Sequence, residues 1–285
     1  MNDDPVLVGY SGVPGAFGEQ AAMECFPEGT LRPYAHFSDV FSAVQRGEVN
    51  YGVVPIENTA GGSIYEVYDR LGDTGCSIVG EHLVAVRHCL LARPGVKREN
   101  VREVCSHEQA LRQCREFLRK EPWTQAVCSN TAEAARQTAA SPRADLAAIA
   151  SRRAAQCYGL CVLEEDIQDR TDNVTRFVVI AAQPVALSGT GKVSLTFTLK
   201  HAVGALHTVL AIFASHGLNL CKIESRNIPG RSWEYRFYVD YEGELRQEAI
   251  ERILAVLAAY TNEIRLLGCY RTWPEKEPGN EPNRE

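Results

Sequence analysis

The ten cysteines include no CxxC pair, and the seven histidines show no metal-ligand spacing. Structural zinc needs such clusters, so no metal is implied. The closest thiols, Cys157 and Cys161, stand one helical turn apart, and Cys89 in "HCLLA" and Cys221 in "LNLCKI" sit in apolar runs. Free thiols there behave as small buried hydrophobes, so unpaired cysteines in a reducing compartment are expected. Basic excess is also lacking: the net charge is −6, which disfavours a sequence-independent nucleic-acid binder. No apolar run approaches the ~20 residues that span a bilayer, so no membrane partner is expected. The start, "MNDDPVLVGY", reads as neither a signal nor a transit peptide. "VGYSGVPGAFGEQAA" lacks both GxGxxG and GK[ST], so it is neither a dinucleotide fingerprint nor a phosphate loop.

What is present is an α/β rhythm. The 285 residues suffice for two domains, and a hydrophobic content of 45% supports a sizeable core. "VLVGY" reads as a strand and "GVPGAFGEQAAMECF" as a turn entering a helix. "FSDVFSAVQRGEV" reads as an amphipathic helix opened by a Ser38 cap. "NYGVVPIEN" is the next strand, "GGSIYEVYDRLGD" a third helix, and "CSIVGEHLVAVRHCLLARPG" two extended segments. Such alternation signals a mostly parallel sheet covered by helices. Gly12 and Gly15 would let backbone N–H groups approach a ligand closely, or simply make a tight strand-to-helix turn.

The rhythm continues between about 95 and 165. "VREVCSH" leads into "EQALRQCREFLRK", "QAVCSN" into "TAEAARQTAA", and "DLAAIAS" into "RRAAQCYGL". Their joints carry caps at Ser106, at Ser129 to Thr131 and at Ser151. Helix starts of this kind present unpaired N–H groups favourable for an anion. After "VALSGTGK" comes a different unit, strand–helix–strand–strand–helix–strand from "VSLTFTL" to "IRLLGCY", the ferredoxin-like split βαβ order. The tail "PEKEPGNEPNRE" is charged, Pro/Gly-rich and expected to be disordered.

Two polar strand mouths stand out. "TDNVTRFVVI" puts Thr175 and Arg176 where an apolar strand begins, with Asp172 and Asn173 as turn formers. "PIENTAGGS" puts Glu57 and Asn58 at another strand end. Each reads either as turn and cap chemistry or as the working end of a site, because open α/β sheets bind ligands at strand ends.

Taken together, "GVPGAFGEQAA", "VVPIENTAGGSI", "CSHEQALRQC", "SNTAEAA" and "DNVTRF" occur in the order and spacing of the prephenate dehydratase family. "GALHTVLAIFASHGLNLCKIESR" resembles that family's regulatory ACT domain, and "IRLLGCY" is similar to the form shared with plant arogenate dehydratases.

The resemblance implies a two-lobed, periplasmic-binding-protein-like α/β catalytic domain at 1–183 and an α+β ferredoxin-like ACT domain at 192–273. Lobe one would take about 1–81 and 166–183, lobe two about 82–165, and 274–285 would be the tail. It implies a cytoplasmic lyase of phenylalanine biosynthesis that turns prephenate into phenylpyruvate with loss of water and carbon dioxide, without a cofactor. Arogenate is the alternative substrate, and a non-catalytic amino-acid sensor the reading from another class. Phenylalanine would be the effector and a homodimer or homotetramer the assembly.

By motif match Thr175 is the essential hydroxyl, acting on the leaving oxygen. Arg176 would clamp a carboxylate or hold an ion pair, with Asn173, Glu57, Asn58, Ser106, His107 and Thr131 as further substrate-binding residues. The phenylalanine pocket would comprise Gly204, Ala205, Leu206 and His207 at a helix start and Asn219, Leu220, Glu224 and Ser225 on the next strand. Two positions depart from the family pattern: Gly18 where a serine is common, and Asn227 where "ESRP" has its proline.

Overall fold

The computed structural model describes residues 5–185, 187–228, 230–231 and 233–271; the expected tail at 274–285 lies outside them. Its first strands and helices are Leu7–Ser11 (β1), Phe17–Cys25 (α1), Thr30–Tyr34 (β2), Phe37–Gln45 (α2), Tyr51–Asn58 (β3), Gly62–Ser63 (β4), Tyr65–Asp73 (α3) and Ser77–Ala85 (β5). Then come Cys89–Ala92 (β6), Glu103–His107 (β7), Glu108–Gln113 (α4), Arg115–Leu118 (α5), Thr124–Cys128 (β8), Thr131–Ala140 (α6), Leu146–Ala150 (β9), Arg152–Tyr158 (α7) and Cys161–Glu164 (β10). Val174–Ala181 (β11) precedes Thr190–Thr198 (β12), Ala205–Ser215 (α8), Asn219–Asn227 (β13), Tyr235–Glu244 (β14), Gln247–Ala258 (α9) and Glu263–Tyr270 (β15).

Two compact units result: Met1–Val40, Val53–Ile64 and Leu83–Phe177 form the first, and Phe41–Gly52, Tyr65–His82 and Val178–Glu285 the second. The division does not follow the expected boundary at 183. Segments 41–52 and 65–82 cluster with the C-terminal residues.

The first unit holds strand order β11–β3–β1–β2 and a second sheet, β10–β6–β9–β7–β8. β1 and β2 pair in parallel. β2 escapes a sequence reading because Pro33 stands in it, but it ends the sheet, where a missing N–H is tolerated.

The second sheet shows why its apolar runs are so dense. Along β6, Leu90 and Ala92 join Val104, Ala147 and Ile149 under α4 and α5, against Ala110, Leu111, Cys114 and Leu118. Their neighbours Cys89 and Leu91 join Cys105, Ala148 and Ala150 under α6 and α7, against Ala134, Ala135, Ala154 and Ala155. Strand residues alternate between faces, and both faces are covered, so no polar face is needed. Each large side chain so transferred contributes about 1.5–3 kcal/mol. All ten cysteines are free; Cys89 is buried as expected, whereas Cys221 is exposed, because the alternation of β13 puts it on the open face.

Local expectations need three corrections. Ser38 lies inside the first turn of α2, which begins at Phe37. Gly62 and Ser63 do not open α3; they pair antiparallel with Asn58 and Glu57 as a tight hairpin. The helix expected over "EQALRQCREFLRK" breaks at Cys114 into α4 and α5.

In the second unit β12–α8–β13–β14–α9–β15 follow the expected order, with strands arranged β13–β14–β12–β15 and β5 beyond. One face packs Val193, Leu195, Phe197, Val239 and Tyr241 on Val209 and Phe213 of α8 and Ile250, Ile253 and Leu257 of α9. α3 is held by three arginines of this sheet. Arg226 of β13 meets Asp69 at 2.9 Å and lies 4.2 Å above the Tyr65 ring. Arg236 of β14 meets Asp73 at 2.7 Å. Arg265 of β15 donates to the carbonyls of Leu71 and Gly72 at the helix end, where cations suit the dipole. Gly268 pairs with Ile78 so closely that a Cβ would lie 2.1 Å from the Ile78 carbonyl oxygen.

Candidate active site

Within the first unit a cavity of about 280 Å³ opens among elements of both sheets. Its apolar wall is Phe17, Phe37, Pro55, Ile64, Val86 and Phe177, which suits a six-membered ring. Its polar groups are Asn58, Thr175, His88, His107, Gln109 and Gln113, with Ser129, Asn130 and Thr131 at the start of α6 and Ser11 at the end of β1.

Asn58 is the hub of one wall. Its Oδ1 accepts from the N–H groups of Ala60 (3.0 Å) and Gly61 (2.7 Å). Backbone N–H groups can only donate, so the carboxamide has one orientation. Nδ2 therefore faces the other way, donating to Asn173 Oδ1 at 2.8 Å and to Thr175 Oγ1 at 2.9 Å. The Thr175 hydroxyl accepts that bond, which leaves its own hydrogen for the cavity. Thr175 is 8% exposed, so a bond it donates competes little with water.

His107 caps α4: its Nδ1 accepts from the Gln109 N–H at 3.2 Å. A ring nitrogen that accepts from an N–H carries no proton, so Nε2 is the donor. Asn130 caps α6, accepting from the Glu133 N–H at 2.7 Å. Ser151 caps α7 as expected.

Several expected site residues fall elsewhere. Ser106 is fully buried and donates to the Ile149 carbonyl at 2.6 Å, binding strand to strand instead of lining the cavity. Asn173, 3% exposed, supports Asn58 from behind. Arg176 stands between Thr175 and Phe177, which line the cavity, so strand alternation turns it to the other face. There it stands 3.9 Å from Glu57, and neither lines the cavity. Thr131, His107, Asn58 and Thr175 are thus brought together; Arg176, Glu57, Ser106 and Asn173 surround them.

Gly15 has its backbone groups engaged within the fold. Its N–H donates to Glu19 at 2.8 Å, its carbonyl accepts from Ser151 Oγ at 2.8 Å, and Tyr158 donates to the Pro14 carbonyl at 2.8 Å. A Cβ at Gly15 would lie 2.7 Å from Ala154 Cα, so the turn is latched onto α7. At Gly18 a Cβ would come within 2.8 Å of the Ser11 carbonyl oxygen, so the departure to glycine fits the close approach of α1 to β1.

Sequence reasoning missed Phe17, His88, Gln109 and Gln113. Gln109 and Gln113 stand one turn apart on α4, a spacing that puts both side chains on one face. His88 carried no signal inside an apolar segment.

In the second unit Gly204 caps α8 with φ +79, a conformation that favours glycine. Ala205, Leu206 and His207 form the first turn. β13 alternates exposed and half-buried residues, so Leu220 and Glu224 share one face while Asn219 and Ser225 are exposed on the other. The expected pocket residues of that strand therefore do not all face one way.

The sequence pattern of the prephenate dehydratase family matches residues 8–185. Arogenate dehydratase/prephenate dehydratase 2, chloroplastic, of Arabidopsis thaliana is 42% identical over 281 residues, covering 94% of this chain and 74% of the relative. Among solved structures, prephenate dehydratase of Arthrobacter aurescens in complex with L-Phe superposes with a TM-score of 0.86 at 30% identity, covering 93% of this chain and 90% of that one. GqqA, described as a novel type of quorum quenching acylase, gives 0.87 at 30% identity, covering 94% and 98%.

Proposed function

This chain belongs to the prephenate dehydratase family, and from that premise we propose that it is the dehydratase of phenylalanine biosynthesis that converts prephenate to phenylpyruvate. In this reaction the ring carboxylate leaves as carbon dioxide, its bonding electrons enter the ring, and the hydroxyl on the opposite ring carbon departs as water after gaining a proton. Aromatisation supplies the driving force. The protein's task is to hold a dianion in one pose and to stabilise charge on the departing oxygen.

The observation that carries this reading is the Asn58–Thr175 pair, a hydroxyl fixed as acceptor so that it donates into the cavity. Thr175 lies beside Phe177 in a wall that accepts the ring. His107 Nε2–H and the polar start of α6 supply uncharged donors for the carboxylates. Arg176 belongs to the support of β11 and β3 in this reading.

Arogenate is the second substrate to weigh, because the Arabidopsis relative carries both activities in its name. Residues 1–183 form the catalytic half of this proposal and 192–273 the regulatory half, where phenylalanine acts as feedback effector. The L-Phe complex of the Arthrobacter protein supports that effector. Association into a homodimer or homotetramer and a cytoplasmic location complete the reading. Among the described residues, no helix is long and apolar enough to cross a membrane.

The deciding experiment is a side-by-side kcat/KM for prephenate and arogenate, with and without phenylalanine. Release of phenylpyruvate from prephenate is the expected result; no turnover of either substrate overturns the proposal.

A further inference from the structure

His88 is 2% exposed, yet it lines the cavity and lies outside every motif that marked the site. Its backbone is tied to the returning chain: the His88 N–H donates to Gln168 Oε1 at 2.8 Å, and its carbonyl accepts from the Ile167 N–H at 3.0 Å. Its ring meets Phe17 edge-on at 5.9 Å. The ring is therefore fixed in place. Nε2 stands 2.9 Å from Gln113 Oε1, and Nδ1 is buried with no partner.

Those facts select a tautomer. With the proton on Nδ1, a buried N–H would be orphaned, which folded proteins avoid more strictly than an unpaired acceptor. With the proton on Nε2, only a lone pair goes unpaired, and Nε2–H donates to Gln113 Oε1. Burial also holds the imidazole below its usual pKa, so the ring stays neutral, although the bond to Gln113 opposes this in part. Once Gln113 Oε1 accepts from His88, the geminal NH2 is turned away from His88. Gln113 lines the same cavity, which no arginine or lysine lines among the described residues.

We infer that His88 is a positioning residue for the dehydration: it fixes the Gln113 carboxamide so that its NH2, not its oxygen, meets an anionic oxygen of the substrate. This rests on the prephenate dehydratase reading above. Without His88 the carboxamide is free to flip, and the flipped form points a carbonyl oxygen at a dianion.

The test begins with the wild-type protein, whose 15N imidazole spectrum should show His88 neutral with the proton on Nε2; its signals are assigned by their loss in His88→Gln. A proton on Nδ1, or a charged ring at neutral pH, overturns the inference. Kinetically, His88→Phe should raise KM for prephenate about tenfold, the scale of one hydrogen bond to a charged group, with kcat changed less than threefold. His88→Gln, whose amide can donate to Oε1, should recover most of that loss. The double variant His88→Phe/Gln113→Leu should be no worse than Gln113→Leu alone. Additive losses, or an unchanged KM in His88→Phe, overturn the inference while wild-type turnover leaves the dehydratase reading standing. A wild type without turnover of either substrate overturns both.

Discussion

Asn58 Nδ2 stands 2.9 Å from Thr175 Oγ1, a bond between residues 117 positions apart. Two backbone donors hold the other end of the same amide, so the threonine hydroxyl has no choice but to accept there. The dependence is one-way: Asn58 can keep its loop bonds without Thr175, while Thr175 loses its orientation without Asn58.

Thr175→Val keeps shape and removes the donor. Turnover should fall about 10²–10⁴-fold, the range of a positioned proton donor, with an unchanged circular dichroism spectrum. Asn58→Ala should fall on the order of 10²-fold, as misplacement alone can cost. Initial rates of phenylpyruvate formation check both, and a wild-type rate in either variant removes that residue from the site.

Arg176→Lys should lower the melting temperature and leave KM for prephenate within twofold, because the guanidinium sits across the strand from the cavity beside Glu57. A rise in KM without loss of melting temperature would return Arg176 to the substrate.

Gly15→Ala should destabilise more than Gly47→Ala. Both glycines have positive φ, +86 and +69, which costs a side-chain-bearing residue about 1–2 kcal/mol. Only Gly15 also meets a neighbour, Ala154 Cα at 2.7 Å, whereas nothing lies within 4 Å at Gly47. Urea melts of the two variants measure the difference directly.

Stability should carry an acid-side signature from His88. The unfolded chain protonates this ring near pH 6.5, and burial holds the folded value lower. The unfolded state therefore binds more protons just below 6.5, so stability is full above that pH and declines as pH falls through the window. Subtracting the pH profile of His88→Gln isolates the contribution. A wild-type-minus-variant difference that grows toward acid pH contradicts the sign.

Under the feedback proposed above, Arg226→Gln should weaken inhibition by phenylalanine several-fold and leave turnover without effector unchanged. Arg226 lies two residues from Glu224 on β13 and grips Asp69 and Tyr65 of α3. The pair is partly exposed, so its direct effect on stability should stay within about 1 kcal/mol. Unchanged inhibition would exclude this helix as the carrier.

Much of the fold was legible because its signals are local. The double-sided apolar runs of β6 and β9 announce a covered sheet, and the split βαβ order of the C-terminal residues follows from periodicity and glycine stops. β2 was not legible, because Pro33 argues against a strand until one knows that it lies at an edge. Thr175, Asn58, His107 and Thr131, picked by motif, line the cavity. The same motifs brought in Arg176 and Ser106, which the alternation of β11 and the bond to Ile149 direct elsewhere.

By itself the sequence determined most element types, the unpaired cysteines and the family, since propensity, hydrophobic period and motif order are carried by neighbours along the chain. Only the tertiary structure decided which polar group faces which. Hydrogen bonds are short and directional, and their partners here, Asn58 with Thr175, His88 with Gln113, Gly15 with Ser151, lie 25 to 136 residues apart. No local pattern encodes that a histidine should choose its tautomer for a glutamine two strands further along the chain, or that a threonine should be left with a hydrogen to give.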